Sequence, residues 1–258
     1  MNKTTTTKSA AKVDRYQAHD YYLMDELLSE DHILARDAVR DWVKQEVSPI
    51  IEEHYEILEE VIRQGYASEM EIRYNSNGVE WRDDLLELWK HFKLVRFHYS
   101  VDSIKEWNDY IRFPSEWKRN EEVFKIWDKQ TGDNTEITVA CAVQALNIYY
   151  LPDFIKWKLE QGFSKINMWP FGAGGINYHF VYHPPQLNVK VLPKWFKEAC
   201  RKKYEEFYPW WEANWEKGVP SWHKGKVDYE TWRTASYGIS RLEGMLTFME
   251  SEDWSNRM

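Results

Sequence analysis

Residues 69–103 read EMEIRYNSNGVEWRDDLLELWKHFKLVRFHYSVDS, and the punctuation of this stretch sets the fold class. Glu69–Tyr74 alternates polar and apolar residues, as a half-buried strand does, and runs into the turn sequence Asn75-Ser76-Asn77-Gly78. Trp81–Phe92 carries apolar residues at helical spacing. Leu94–Tyr99 is a second alternating run, which opens into Ser100-Val101-Asp102-Ser103. Strand, turn, helix and strand in this rhythm belong to an α/β chain whose strands run parallel.

Downstream the rhythm continues. A helical stretch from Ile104 to Lys129, interrupted near Pro114, leads to a strand at Glu136–Val143, a helix at Leu151–Gln161 and a fourth strand at Lys165–Trp169. Four strands with intervening helices predict a parallel sheet or a partial barrel. Beyond Pro170 the chain becomes Gly-rich at 172–175 and Pro-containing around Pro184 and Pro185, before helices resume at Pro193–Trp215 and Tyr229–Glu250. Upstream, Ile33, Leu34, Ala38, Trp42, Val43 and Val47 predict an amphipathic helix over Glu30–Val47. Ser48 and Pro49 then start a second helix, Ile50–Gln64, which Gly65 ends.

Composition bounds the function classes. Hydrophobic residues at 43% and charged residues at 29% predict a packed core rather than disorder. A net charge of -8 works against binding polyanions, so nucleic acid is excluded as an expected partner. No apolar run reaches the roughly 18 residues that a membrane helix needs, and the opening MNKTTTTKSAAK lacks the apolar core of a signal peptide; it reads as a disordered tail. Cys141 and Cys200 stand far apart in no paired spacing, which suits a reducing cytoplasm and signals neither a disulfide framework nor a cysteine metal site. Of the 15 tryptophans, Trp210, Trp211, Trp215, Trp222 and Trp232 crowd toward the carboxyl terminus, and filling a core or an interface is their ordinary use.

Ligands of parallel α/β folds sit at the carboxyl ends of strands. Those ends hold Asn75, Asn77 and Gly78, then Ser100 and Asp102, then Gln144 and Asn147, then 169–175. Polar residues there also cap helices and turns, which is the plainer use of each one. His179 and His183 share one face of a strand or helix, but no carboxylate at fixed spacing completes a metal site. The glycines at 172–175 are not followed by the helix start that a phosphate cradle needs.

Two stretches resemble known families. DYYLMDELLSEDHILARDAVRDWVKQEVSPIIEE, from Asp20 to Glu53, resembles the amino-terminal helices of acyl-CoA dehydrogenases of the glutaryl-CoA type. It implies helices; a flavoprotein fragment is the weaker implication, since the family's flavin-binding β domain and catalytic carboxylate have no counterpart further on. From His54 to Met258, EHYEILEEVIRQGYASEMEIRYNSNG, SVDS and AVQALN, taken in order, resemble radical S-adenosylmethionine (SAM) enzymes with a shortened twitch auxiliary region.

That second resemblance implies an incomplete parallel (β/α) barrel with N-terminal helices and a helical, Trp-rich C-terminal region. It divides the chain at 1–19, 20–53, 54–170 and 171–258. It places Ser100, Asp102, Gln144 and Asn147 near the ribose and methionine moieties of SAM, with Asn77 lining the same mouth. The family's Cys-x3-Cys-x2-Cys loop, its GGEP element and two strands of its barrel are not in this sequence, and the last helical region looks cut short. The expectation is therefore a truncated or chimeric protein without a [4Fe-4S] cluster, inactive in catalysis and weak in binding SAM. The expected alternative is a non-catalytic scaffold that meets a peptide or protein partner. Self-association through the uncovered sheet edge at Glu69–Tyr74 is expected as well.

Overall fold

The computed structural model of the chain describes residues 29–42, 45, 57–77, 83–130, 132–166, 173–218, 225–226, 228–234 and 238–255. The chain divides into two units, Met1–Val61 and Ile62–Met258. The first contains α1 (Glu30–Trp42), a helix with no buried residue, on which Leu34, Val39 and Trp42 stay exposed. The expected continuation of α1 through Val47 lies largely outside the described residues, as do the tail at 1–19 and the turn residue Gly78. The described part of α2, residues 57–63, ends where Gly65 takes φ +81° and its N–H closes on the Ile62 carbonyl at 2.9 Å. Left-handed backbone at this position is what glycine supplies cheaply.

The second unit is built from β1 (Glu71–Ser76), α3 (Asp83–Trp89), β2 (Leu94–Ser100), α4 (Lys105–Ile111), α5 (Trp117–Gln130), β3 (Thr135–Val143), α6 (Leu151–Glu160), β4 (Ile176–Phe180), α7 (Lys194–Ala213), α8 (Tyr229–Thr234) and α9 (Ile239–Glu250). The strands form one four-stranded sheet in the order β1-β2-β3-β4. All three pairings are parallel, in registers such as Tyr74 with Phe97, Phe97 with Ile137, and Val139 with Ile176. Among the described residues β1 pairs only with β2, so it is an edge strand.

Because neighbouring strands are consecutive in the chain, right-handed crossovers put the helices on one face of the sheet. The ring contacts agree: Tyr74 stacks on Trp89 of α3 at 5.3 Å, and Phe97 on Trp127 of α5 at 4.5 Å. Tyr99 leans on Phe124 of α5 at 4.4 Å, and Trp157 of α6 meets Phe124 edge-on at 5.5 Å. Val95, Phe97, Tyr99, Ile137, Val139 and Cys141 are all buried beneath these helices. Each large side chain so buried stabilises by about 1.5 to 3 kcal/mol, and each aromatic pair by about 0.5 to 1.5 kcal/mol beyond that. The opposite face presents Arg73, Asn75, Arg96, His98, Asn177 and His179, none of them buried. Alternation along each strand thus separates an apolar, helix-covered face from a polar one.

The fourth strand is not where the sequence put it. Ser164, Lys165 and Ile166 form a bend, and their backbone N–H groups all donate to the Asp128 carboxylate, at 3.0, 2.7 and 3.1 Å. Donors held this way are not offered to a neighbouring strand, and the buried Ile166 explains the apolar character of the run as a core plug. Residues 167–169 lie outside the described residues. The strand that pairs with β3 is β4, reached through Gly174 at φ +71°. A Cβ on Gly174 would stand 2.8 Å from Ile155 Cγ2, so close packing against α6, rather than a ligand, accounts for this glycine.

Beyond β4, α7 and α9 pack on each other and α7 on α6. Arg201 of α7 binds Glu250 through Nε at 2.7 Å and Nη2 at 2.6 Å, and Tyr204 donates its hydroxyl to the Ile148 carbonyl at 2.8 Å. Tyr229–Glu250, expected as one helix, holds two, α8 and α9. Among the described residues, no helix is long and apolar enough to cross a membrane.

Candidate functional site

The carboxyl ends of β1, β2 and β3 open on a cleft of about 570 Å³. Its walls are Asn77 beyond β1, Asp102 beyond β2, Gln144 beyond β3, and the α4–α5 connection, where Arg112, Ser115, Glu116 and Arg119 contribute the polar groups. Three positions singled out by sequence, Asn77, Asp102 and Gln144, therefore meet at one opening. Ser100 ends β2 half-buried beside Ala140 and stands outside the cleft lining. Asn147 is fully buried behind it.

Asn147 is a lock. Its Nδ2 donates to the Asp102 and Ala142 carbonyls at 2.8 Å each, and its Oδ1 accepts the Gln144 N–H at 2.8 Å. The amide thus ties the end of β2 to the turn after β3 and sets the backbone that carries Gln144. Asp102, 3% exposed, has both carboxylate oxygens engaged: Oδ1 accepts the Ala142 N–H at 2.7 Å, and Oδ2 lies 2.9 Å from Arg112 Nε. The Arg112 N–H is not directed along that line, so the contact is an ion pair rather than a hydrogen bond. Much of the Asp102 side chain is thereby given to positioning Arg112 and the β3 end.

A second buried network holds the other wall. Tyr99 donates its hydroxyl to Asn120 Oδ1 at 2.8 Å, and Asn120 Nδ2 donates to Ser115 Oγ at 2.6 Å. Asn108 Oδ1 accepts the Asp102 and Ser103 N–H groups at 3.2 and 3.4 Å, while its Nδ2 reaches Ser115 Oγ at 3.4 Å. With two amides donating to its oxygen, the Ser115 hydroxyl keeps its own proton for the cleft. Burial pushes the Tyr99 phenol far above its ordinary range, so it remains a donor at any ordinary pH.

Gln144 differs from these satisfied groups. It is 6% exposed, lines the cleft, and its Oε1 has no hydrogen-bond partner. A buried amide oxygen left without a partner costs about 1 to 3 kcal/mol, which a bound donor would recover. The cleft therefore offers an amide, Asn77, a hydroxyl, two guanidiniums and two carboxylates, Glu116 and the already engaged Asp102: groups suited to a polar organic ligand rather than to a metal.

The cysteines contribute no ligand here. Both are free and buried; burial, followed by the nearby Asp102 charge, drives the Cys141 thiol well up, and burial pushes Cys200 up to about 12. Among the described residues, no group of three or more His, Cys, Asp or Glu side chains is placed to hold a metal, and His179 and His183 do not gather one. The sequence reading missed Arg112, Ser115, Glu116 and Arg119, since it looked only at strand ends. Pro114, recognised as a helix interruption, was the available signal for a wall built between α4 and α5. No protein-family model matches the chain, and no curated protein matches it.

Proposed function

We propose that the second unit is a section of a radical SAM-type (β/α) barrel that binds a nucleoside, of the SAM or S-adenosylhomocysteine kind, in the cleft and performs no radical chemistry by itself. The observation that carries this reading is the convergence of Asn77, Asp102 and Gln144 on one opening at the carboxyl ends of three successive parallel strands. A cleft of about 570 Å³ falls within the range of small-molecule sites. A parallel sheet with helices on one face only leaves its other face open, as the wall of an incomplete barrel does.

Gln144 and Asn77 take the nucleoside's polar edge, Ser115 and Arg119 take ribose or carboxylate oxygens, and Asp102 acts as a positioning residue through Arg112. A [4Fe-4S] cluster requires several thiolates at one face, whereas Cys141 and Cys200 are two separate buried thiols. Without a cluster to anchor the methionine end, affinity is weak, on the order of millimolar, which corresponds to about -4 kcal/mol.

A scaffold role is the second reading, and exposed aromatics outside the cleft lining favour it. Trp107 stacks on Tyr150 at 4.1 Å while remaining 38% exposed, and Trp195 is 67% exposed. Calorimetric titration with S-adenosylhomocysteine separates the two. The nucleoside reading expects saturable weak binding that Gln144→Leu abolishes at unchanged thermal stability. No binding at millimolar ligand, or binding indifferent to Gln144→Leu, leaves the scaffold reading in its place.

A further inference from the structure

The sheet face turned away from the helices carries a block of cationic and polar side chains that the cleft does not use. Arg73 and Asn75 occupy alternate positions of β1, and their Cα partners on β2 are Arg96 and His98. Tyr74 and Phe97, from the intervening positions, pack against α3 and α5, so these four residues share the opposite face. Neighbouring strands lie about 4.8 Å apart and a two-residue step is about 6.6 Å, which brings the four side chains within reach of one small ligand.

The corners of the block are not equivalent. Arg96 is pinned by two carboxylates, Glu71 at 3.2 Å and Glu136 at 2.9 Å, and these also neutralise it. The His98 ring is fixed by a contact of 2.9 Å between its Nδ1 and Thr138 Oγ1. Arg73 is exposed and forms no ion pair among the described residues, and Asn75 beside it is exposed too. Burial, then the charges of Arg73, His179 and Arg96, hold the His98 imidazole below its ordinary range, which places it in the field of the unmatched Arg73. Toward the cleft the face narrows to small residues, Ser100 and its partner Ala140, which leave room above the backbone.

We propose that Arg73, Asn75 and His98 form an oxyanion subsite on the open sheet face, which receives the carboxylate or phosphate group of a small polar molecule. The planar guanidinium of Arg73 binds two oxygens of such a group at once, the Asn75 amide donates to a third position, and the imidazole lies alongside. Selectivity for an anion follows from the charge count: Glu71 and Glu136 are spent on Arg96, while Arg73 has no counter-ion among the described residues. Asn77, a wall of the cleft, is one two-residue step further along from Asn75, so a molecule held at Arg73 extends toward that opening. The subsite is independent of the nucleoside reading, since none of its three residues lines the cleft.

The test uses the full chain and reads the His98 imidazole by NMR, with the resonance identified by its loss in His98→Gln. A bound anion stabilises the protonated ring, so the His98 midpoint should rise, by roughly half a unit or more, as inorganic phosphate or, separately, succinate is added at ionic strength held constant with chloride. The rise should saturate, vanish in Arg73→Gln at an unchanged thermal melt, and persist in Gln144→Leu. The stronger of the two probes identifies the group as tetrahedral phosphate or planar carboxylate. A His98 midpoint indifferent to both probes, a shift that never saturates, or a shift of equal size in Arg73→Gln overturns the proposal.

Discussion

Replacing Lys158 with Met should remove most of the rise in stability that the parent protein shows above neutral pH. Lys158 lies in α6, is wholly buried, and donates from Nζ to the Gly174 carbonyl at 2.9 Å. Burial brings its amine down from 10.5 to about 7, against the opposing attraction of Asp128. The folded pKa is below the unfolded one, so between about 7 and 10.5 the unfolded chain keeps a proton that the folded chain has released. Stability then increases with pH across that window, by up to about 1.4 kcal/mol per unit, and is flat with respect to this group below it. The whole window amounts to about 4 to 5 kcal/mol. Met fills similar volume without the charge and forfeits the bond to Gly174, a loss of about 1 to 3 kcal/mol. The variant should therefore be the more stable protein at pH 6, with its advantage shrinking steadily toward pH 9. Urea denaturation of both proteins across that range measures the difference and cancels every other titrating group. Parallel profiles would refute the reasoning.

Other perturbations test the supports of the cleft. Asn147→Leu strands the Ala142 carbonyl and the Gln144 N–H and leaves the Asp102 carbonyl only the Cys141 thiol, at 3.4 Å, and should cost about 3 kcal/mol or more in urea denaturation; a loss under 1 kcal/mol contradicts the lock. Gly174→Ala combines left-handed backbone with a 2.8 Å approach to Ile155 and should lower stability by about 2 kcal/mol or more, visible as a lower melting temperature. Cys141 and Cys200 should resist a thiol reagent until denaturant is added, and anaerobic iron and sulfide should leave no desalting-stable cubane cluster by Mössbauer spectroscopy. Fast labelling of the folded protein, or a stoichiometric cluster, is the contrary outcome.

Alternation made two strands readable and a bounded apolar run the third. Glu69–Tyr74 and Leu94–Tyr99 became Glu71–Ser76 and Leu94–Ser100, because apolar residues at every second position commit those runs to one buried face, and Glu136–Val143, rich in β-branched residues, became Thr135–Val143. The fourth was misplaced for a physical reason. Short apolar runs do not reveal whether they pair or plug, and what decides Ser164–Ile166 is the carboxylate of Asp128, far away in sequence. Ile176 and Tyr178 do alternate with Asn177 and His179, yet the glycines before them read as loop. The site shows the same division. Asn77, Asp102 and Gln144 could be placed at the strand ends because those are local features, whereas Arg112 and Arg119 enter the cleft only through the packing of α4 and α5 against the sheet. Asn147, chosen for its position, turned out to hold its neighbours, which only the hydrogen bonds reveal.

The most direct test of the nucleoside cleft is backbone amide exchange, read by mass spectrometry, with and without saturating S-adenosylhomocysteine. Protection confined to peptides that span Asn75–Asn77, Asp102–Arg119 and Ala142–Ile148 is the predicted result, because those backbones carry the cleft walls and their buried networks. Unchanged exchange in those peptides, or protection only in segments remote from the carboxyl ends of β1, β2 and β3, contradicts the account.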